Sequence, residues 1–343
     1  MSGRLRRSLA AVAVVLTALS ALTALTACTA GTGDEQTIRF ALDWTPNTNH
    51  TGLFVAQQRG YFAEAGLDVE ILPYNNTAVD TVIDAGNAEF GISTQNSSTF
   101  SRASGGRTLS VLAPLQHWAT GIGVKADRAD IRSPKDLDGK TYAGFGDPGE
   151  VEALQQVIRN DGGTGEFDSV TLGTSAYEAV YSGQADFTVS YLAWEGIEAE
   201  HHGTPMKYFR YTDFGFPDAY AIVIDANEDW LAANPDRAAK FVRALQCGYQ
   251  VAADDPDAAA RDLLAANPGA FPDESLVFES QRMLAGQFMK DPAGRVGTQT
   301  REQWAASSGF LYAKGLLTGP DGAPLAAEPD WSTYFTDDYL AGP

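Results

Sequence analysis

Two stretches of the chain repeat one another: Val82-Ile83-Asp84-Ala85-Gly86-Asn87-Ala88-Glu89-Phe90-Gly91-Ile92-Ser93 and Ala179-Val180-Tyr181-Ser182-Gly183-Gln184-Ala185-Asp186-Phe187-Thr188-Val189-Ser190. Gly, Ala, an acidic residue, Phe, an aliphatic residue and Ser recur at the same offsets. The spacing, roughly 97 residues, is too long for a solenoid. Each copy reads as a helix end, a Gly turn and a strand ending in Ser. The surrounding pattern agrees: TIRFAL, a helix from Thr51, DVEIL, a helix from Ala78, then FGIS. After SVLAPL it restarts with KTYAGF, a helix from Glu150, SVTL, a helix near Ala176, and FTVS. Strand–helix alternation implies parallel sheets covered by helices, here two α/β lobes. The remainder is predicted to be mostly helical. Asn234-Pro235 has an N-cap residue before Pro at the first helical position, and Phe241, Val242, Leu245 and Tyr249 follow at helical spacing. Asp255-Pro256 and a helix around Gln281–Met289 come next.

The formal charge of −20 excludes the basic footprint of a nucleic-acid binder and the polybasic patch of an anionic-membrane binder. With 4 His and 2 Cys, multi-His or multi-Cys metal sites and disulfide frameworks are not expected. The N-terminus has a direction of its own. Arg4, Arg6 and Arg7 precede the uncharged run Leu9–Ala27, the layout of a secretory signal. Leu25-Thr26-Ala27-Cys28 matches the bacterial lipobox, in which the Cys is acylated and becomes the first mature residue. The expectation is a signal peptide over 1–27, lipidated Cys28, and a tether over 28–36. The protein then works outside the cytoplasm, held to the cell membrane by its N-terminal lipid alone. Cys247 is left as a single thiol.

Gly144-Phe145-Gly146-Asp147-Pro148-Gly149 satisfies the dinucleotide fingerprint GxGxxG after a predicted strand. Pro148 removes a backbone donor from the supposed cradle, and no acidic residue closes the next strand, SVTLGTS. What survives is a Gly-rich loop that sets a helix N-terminus against a polar ligand, with Gly146, Asp147 and Glu150 as candidates. Gly139-Lys140-Thr141 has Pro134 where a phosphate loop needs Gly, so it is not an ATP site. His201-His202 reads as a solvated pair. GxSxG and HExxH do not occur.

The richest segment is Asp43–Gly52 (DWTPNTNHTG), directly after the first strand. Ligands of open parallel sheets lie beyond the carboxyl ends of strands. Three further aromatic or amide loops sit at equivalent edges: Ser93-Thr94-Gln95-Asn96-Ser97, Gln116-His117-Trp118, and Tyr191-Leu192-Ala193-Trp194-Glu195-Gly196. Four such loops point to a shared cleft.

DWTPNTNHTG followed by GLFVAQQRGYFAEAGLDVEI resembles the opening of extracytoplasmic binding proteins for thiamine pyrimidine precursors. AEFGIS, the LQH–G step, SPKDLDGKTYAG and WEGIEAE continue the resemblance in order, over roughly residues 37–315. The same superfamily includes receptors for sulfonates and fungal pyrimidine synthases. The resemblance implies a type II periplasmic-binding-protein fold, with lobe one at 37–122 plus 217–343, lobe two at 123–216, and a two-segment hinge. A flat aminopyrimidine rewards stacking on Trp44, Trp194 and Tyr191. Its amino donor beside a ring-nitrogen acceptor matches a carboxyl such as Glu195, especially with a shared proton. Asn47, His50 and Gln116 satisfy the remaining polar atoms, with Ser93, Gln95, Asn96 and His117 as further candidates. The synthases use a Lys and, four residues later, a His where this chain has Ser93 and Ser97, and their Cys-rich segment falls at FGFPDAY, which has no Cys. No enzyme activity and no cofactor are therefore expected. Asn96 stands where the receptors have an acidic residue and Asp147 where they have Ser, which leaves another small heterocycle or a sulfonate as alternatives. The expected partners are an aminopyrimidine ligand and an ABC permease with a separate ATPase subunit, the receptor itself being a monomer.

Overall fold

The computed structural model describes residues 37–342 apart from 147 and 148. The signal, the lipobox with Cys28, the tether and Asp147 all fall outside the described residues. Two five-stranded sheets organise the chain. The first contains β1 (Ile38–Ala41), β2 (Val69–Leu72), β3 (Phe90–Ser93), β4 (Thr108–Leu115) and a late strand, Ile222–Asn227. The second contains β5 (Thr120–Lys125), β6 (Thr141–Gly144), β7 (Asp168–Thr171), β8 (Phe187–Tyr191) and β9 (Met206–Arg210), which makes Ile222–Asn227 β10. Their orders are β2-β1-β3-β10-β4 and β7-β6-β8-β5-β9. The same scheme is thus built twice.

The sheets are mixed, which corrects the expectation of purely parallel ones. β10 runs antiparallel to β3 and β4, and β5 antiparallel to β8 and β9. The cause is topological. β4 ends at the edge where β1 and β3 end, and only Gln116–Ala119 separate it from β5. A chain that crosses so directly enters the second sheet at that same edge and must run away from it. β9 returns through residues 211–221 to β10 in the same way. The first crossover therefore lies a few residues before the boundary expected at 122, and the second spans the one expected at 216.

The internal repeat has a structural meaning. Gly86 (φ 69°) and Gly183 (φ 78°) each turn the chain from a helix, Val79–Asp84 or Ala176–Tyr181, into β3 or β8 through the left-handed region that favours glycine. The recurring acid holds the neighbouring strand. Glu89 accepts the Arg39 N–H of β1 at 2.7 Å, and Asp186 accepts the Thr141 N–H of β6 at 2.8 Å. The recurring Phe residues, Phe90 and Phe187, are fully buried. Phe90 lies 4.2 Å from Phe241, and Phe187 lies 5.1 Å from Tyr142, so each anchors the core beneath its own sheet.

The helices Pro235–Asp254 and Pro256–Ala266 form where Asn234-Pro235 and Asp255-Pro256 announced them, the helix expected around Gln281–Met289 runs from Glu274 to Gln287, and Arg301–Ala313 is a further helix that the sequence reading did not name. Phe241, Val242, Leu245 and Tyr249 are buried. Pro235 takes the first position of its helix, while the Asn234 side chain donates back to the Trp230 carbonyl at 3.0 Å instead of capping forward. The helix Pro235–Asp254 crosses Thr51–Gln58 at two glycines. A Cβ on Gly248 would stand 2.0 Å from the Gly52 carbonyl oxygen. This close approach carries the Asp43–His50 loop, through the helix that follows it, firmly onto the core.

Candidate functional site

The carboxyl ends of β1, β3, β4, β6 and β8 carry all the candidate loops, so the two lobes offer these loops to a common cleft. The loop after β1 is built by its own polar groups. The Asn47 carboxamide oxygen accepts the Asn49 N–H at 2.8 Å, and its amide donates to the Thr45 carbonyl at 3.1 Å. His50 is fully buried. Its Nδ1 accepts the Asn47 N–H at 3.4 Å, which leaves Nε2–H to donate to Asp43 at 2.8 Å. His50 therefore clasps the loop shut and presents no free ring edge. Trp44 is displaced outward by this turn. It is 41% exposed, and its ring lies 5.1 Å from Tyr74.

The loop after β3 serves internal bonding to a larger extent than the sequence suggested. Ser93 Oγ donates to the buried Asp80 carboxyl at 3.1 and 3.2 Å. Gln95 is fully buried, accepts the Tyr220 N–H at 2.9 Å, and donates to the Trp304 carbonyl at 3.1 Å. Gln116 donates to the Ala113 and Thr298 carbonyls at 2.8 and 2.9 Å. Gln95 thus ties the end of β3 to the second crossover and to the helix Arg301–Ala313, whereas Ser93 is held by the helix Val79–Asp84 and Gln116 by the segment before Arg301. Asn96 is half-buried, with its oxygen accepting Ser307 Oγ–H at 3.3 Å. His117 sits on the first crossover and bonds Asp218 of the second at 2.7 Å, and Asp218 also accepts the Trp118 N–H at 2.8 Å. The two hinge segments are stapled together there. That bond with Asp218 raises the affinity of His117 for its proton.

In the second lobe, Gly146 is exposed and the Glu150 carboxylate accepts the Phe145 N–H at 3.2 and 3.3 Å, closing the Gly-rich loop. Gly149 packs so near lobe one that a Cβ there would lie 3.2 Å from Leu311. Tyr191 N–H donates to Glu195 Oε2 at 3.1 Å, and the Tyr191 hydroxyl reaches the Ala221 carbonyl at 3.4 Å. Trp194 is half-buried, edge-on to Phe271 at 6.2 Å.

Glu195 heads the helix Glu195–His201 and keeps a partly accessible side chain, yet the protein around its carboxyl strips away water. Desolvation is the largest influence and Glu198 adds repulsion. The Tyr191 N–H and the Tyr177 hydroxyl, both donating to the carboxyl, oppose them. The result is a carboxyl pushed up to about 7, poised between acid and carboxylate at neutral pH.

Sequence reasoning missed Tyr177, Tyr74 and Phe145. Phe145 follows β6 and Tyr177 follows β7, as Trp44 follows β1 and Tyr74 follows β2. The rings of Phe145 and Tyr177 lie 5.3 Å apart, against 5.1 Å for Trp44 and Tyr74. Each lobe thus carries one aromatic pair at the equivalent place. The signal was available as an aromatic residue in the segment that follows β2 and in the one that follows β7.

A duplicated mixed sheet, two crossovers and loops gathered at the strand ends define the two-lobed periplasmic-binding-protein fold. The solved periplasmic aliphatic sulphonate binding protein SsuA from Escherichia coli has this architecture with a TM-score of 0.65, at 13% identity, over 87% of this chain and 99% of that one. The chain belongs to the NMT1/THI5 like family, whose model matches residues 47–259. It is 31% identical to a formylaminopyrimidine-binding protein of Halalkalibacterium halodurans over 291 residues, covering 83% of this chain and 87% of the relative. It is 24% identical to the 4-amino-5-hydroxymethyl-2-methylpyrimidine phosphate synthase THI13 of Saccharomyces cerevisiae, covering 89% of this chain and 88% of the synthase.

Proposed function

We propose that this protein is the extracytoplasmic substrate-binding component of an ABC importer and that it captures a thiamine-precursor aminopyrimidine of the formylamino or hydroxymethyl type. The observation that carries this function is Glu195, a carboxyl near neutrality at the end of β8, with an aromatic pair on each lobe. A 4-aminopyrimidine offers an amino donor next to a ring-nitrogen acceptor. A carboxyl holding one proton answers both, with its carbonyl oxygen accepting and its O–H donating. The pairs Trp44–Tyr74 and Phe145–Tyr177 supply flat apolar faces for the ring. Similarity to a formylaminopyrimidine-binding protein supports the ligand class.

The two crossovers between the sheets support a reading in which the lobes close on the ligand; in the same proposal the lipobox makes Cys28 the lipidated first residue and the receptor acts as a monomer. The closed form is handed to a permease whose ATPase is a separate chain. A binding role is favoured over synthase chemistry because Ser93, at the place of the synthases' lysine, is bonded to buried Asp80. Native mass spectrometry of the mature domain tests the assignment, using a panel of aminopyrimidines, thiamine, riboflavin and taurine. A saturable adduct with one aminopyrimidine is expected. Binding to taurine or another sulfonate alone would overturn the ligand class while leaving the transport role.

A further inference from the structure

We infer that Asn96 reads the substituent on the ligand's ring: its side-chain amide nitrogen, a donor with no acceptor of its own, takes the carbonyl oxygen of a formylamino group, so that the formylated compound is preferred to the free amine. This deepens the function proposed above, on which it rests, by choosing the substituent.

Two helices that run side by side set the place of Asn96. Gln95–Ala103 follows β3 and bonds Arg301–Ala313 in register. Gln95 donates to the Trp304 carbonyl at 3.1 Å, Ser307 donates to Asn96 at 3.3 Å, and Thr99 meets Ser308 at 2.8 Å. One turn beyond Asn96 and Ser307, on the same faces, stand Phe100 and Leu311. Both approach the Gly-rich loop of lobe two, where a Cβ on Gly149 would lie 3.6 Å from Phe100 and 3.2 Å from Leu311. Asn96 therefore sits on the face that lobe one turns towards lobe two, half-buried and one turn nearer the carboxyl end of β3. Glu195 comes from the corresponding place in lobe two, the first turn of the helix that follows β8, the other strand of the repeat.

Ser307 fixes which end of the Asn96 amide is free. A buried hydroxyl needs an acceptor for its proton, and the one that Ser307 reaches among the described residues is Asn96 Oδ1. That bond uses the oxygen. The two Nδ2 hydrogens are accepted by no group among the described residues. A carbonyl oxygen completes such a site. An alkylamine, an ammonium at neutral pH with donors only, opposes it.

The test measures binding of 4-amino-5-aminomethyl-2-methylpyrimidine and of its N-formyl derivative by calorimetry at pH 7, with wild type, Asn96→Ala, Asn96→Asp and Ser97→Asp. The readout is the ratio of the two affinities, which a general loosening of the cleft does not move. Wild type is expected to favour the formyl compound. Asn96→Ala removes the donor and lowers the ratio about three- to tenfold. Asn96→Asp keeps an acceptor for Ser307 and sets a carboxylate against the ligand, so the formyl compound weakens, the amine gains, and the ratio falls on the order of a hundredfold. Ser97→Asp puts the same charge on the exposed neighbouring residue and shifts the ratio less than about threefold, as a screened charge does. A wild type that prefers the amine, a ratio unmoved in both Asn96 variants, or an equal shift in Ser97→Asp and Asn96→Asp overturns the assignment while leaving the aminopyrimidine function standing. If wild type binds neither compound, that function fails and the role of Asn96 with it. Thermal melting confirms that the variants are folded.

Discussion

Under the proposed function Glu195 offers the sharpest perturbation, because its raised proton affinity would convert pH into ligand affinity. With the carboxyl near 7, about 90% of receptors carry the proton at pH 6, half at pH 7 and about 10% at pH 8. If only the acid form pairs with a neutral aminopyrimidine, apparent affinity is reduced by the unprotonated fraction, and Kd rises about tenfold between pH 6 and pH 8. Binding must also take up protons, roughly half a proton at pH 7 and nearly one at pH 8. Calorimetry in buffers of different ionisation enthalpy measures that uptake. Glu195→Gln substitutes an amide that still offers one acceptor and one donor but cannot titrate. Its affinity is expected to stay within several-fold of wild type at pH 6 and to lose the tenfold slope. Glu195→Ala leaves the ligand's amino group and ring nitrogen without partners, a loss of about 1–3 kcal/mol or roughly 5- to 150-fold. A wild-type affinity that is flat from pH 6 to 8, or an alanine variant that binds normally, would refute the role of this carboxyl.

Replacing Trp44 or Phe145 with Ala removes half of one aromatic pair and should weaken ligand binding by about 0.5–1.5 kcal/mol each, read by the same calorimetry. Asp80 and Asp225 form a buried acid pair in lobe one, both raised above the ordinary carboxyl range, chiefly by desolvation. A raised folded-state value contributes stability that is complete below the unfolded value near 3.8 and is lost as pH rises through the folded one. Asp225→Asn should therefore raise the melting temperature at pH 8 and flatten its pH dependence; a lower melting temperature at pH 8 would count against a strained acid pair. Gly248→Ala drives a Cβ to 2.0 Å from the Gly52 carbonyl oxygen, backbone that cannot yield cheaply. A loss of about 3 kcal/mol or more in urea unfolding is expected, and a neutral result would show that the two helices separate easily.

The parts of the fold that were legible are those in which strand and helix alternate. The repeat announced two lobes because its glycines, acids and phenylalanines perform the same tasks twice. β5, β9 and β10 escaped because strand–helix alternation cannot reveal strands whose role is to cross between sheets. β10, Ile222–Asn227, is nearly continuous burial with Asp225 inside it, a pattern that reads as neither an amphipathic helix nor an alternating strand. In the site, the positions of the polar loops were legible but not their allegiances. Gln95 and Trp44 both look like ligand groups in the sequence. Only the tertiary contacts distinguish them, since Gln95 is committed to Tyr220 and Trp304, 125 and 209 residues away, whereas Trp44 is left facing outward.

If Glu195 reads the ligand as proposed, the helix Glu195–His201 would link recognition to the contact with the helix Glu274–Gln287. Its first residue is the carboxyl just discussed. Its last, His201, bonds Asp273 at 2.7 Å and Glu279 at 3.3 Å, both on the opposite lobe. Between them, Gly196 and Ile197 line the crevice facing Met283 of the helix Glu274–Gln287. The helix is only two turns long, so a tilt at the Glu195 end is passed almost undiminished to His201. The Asp273 and Glu279 carboxylates raise the proton affinity of His201. The ion pairs are complete while His201 is protonated and fade as pH rises through its elevated value, the same direction in which Glu195 loses its proton. Acid conditions thus favour the protonated Glu195 carboxyl, which the proposed function takes as the recognising form, together with the His201 ion pairs. A pH slope beyond the tenfold assigned to Glu195 would persist in Glu195→Gln if the His201 ion pairs contribute to binding, and His201→Gln in that background should abolish it.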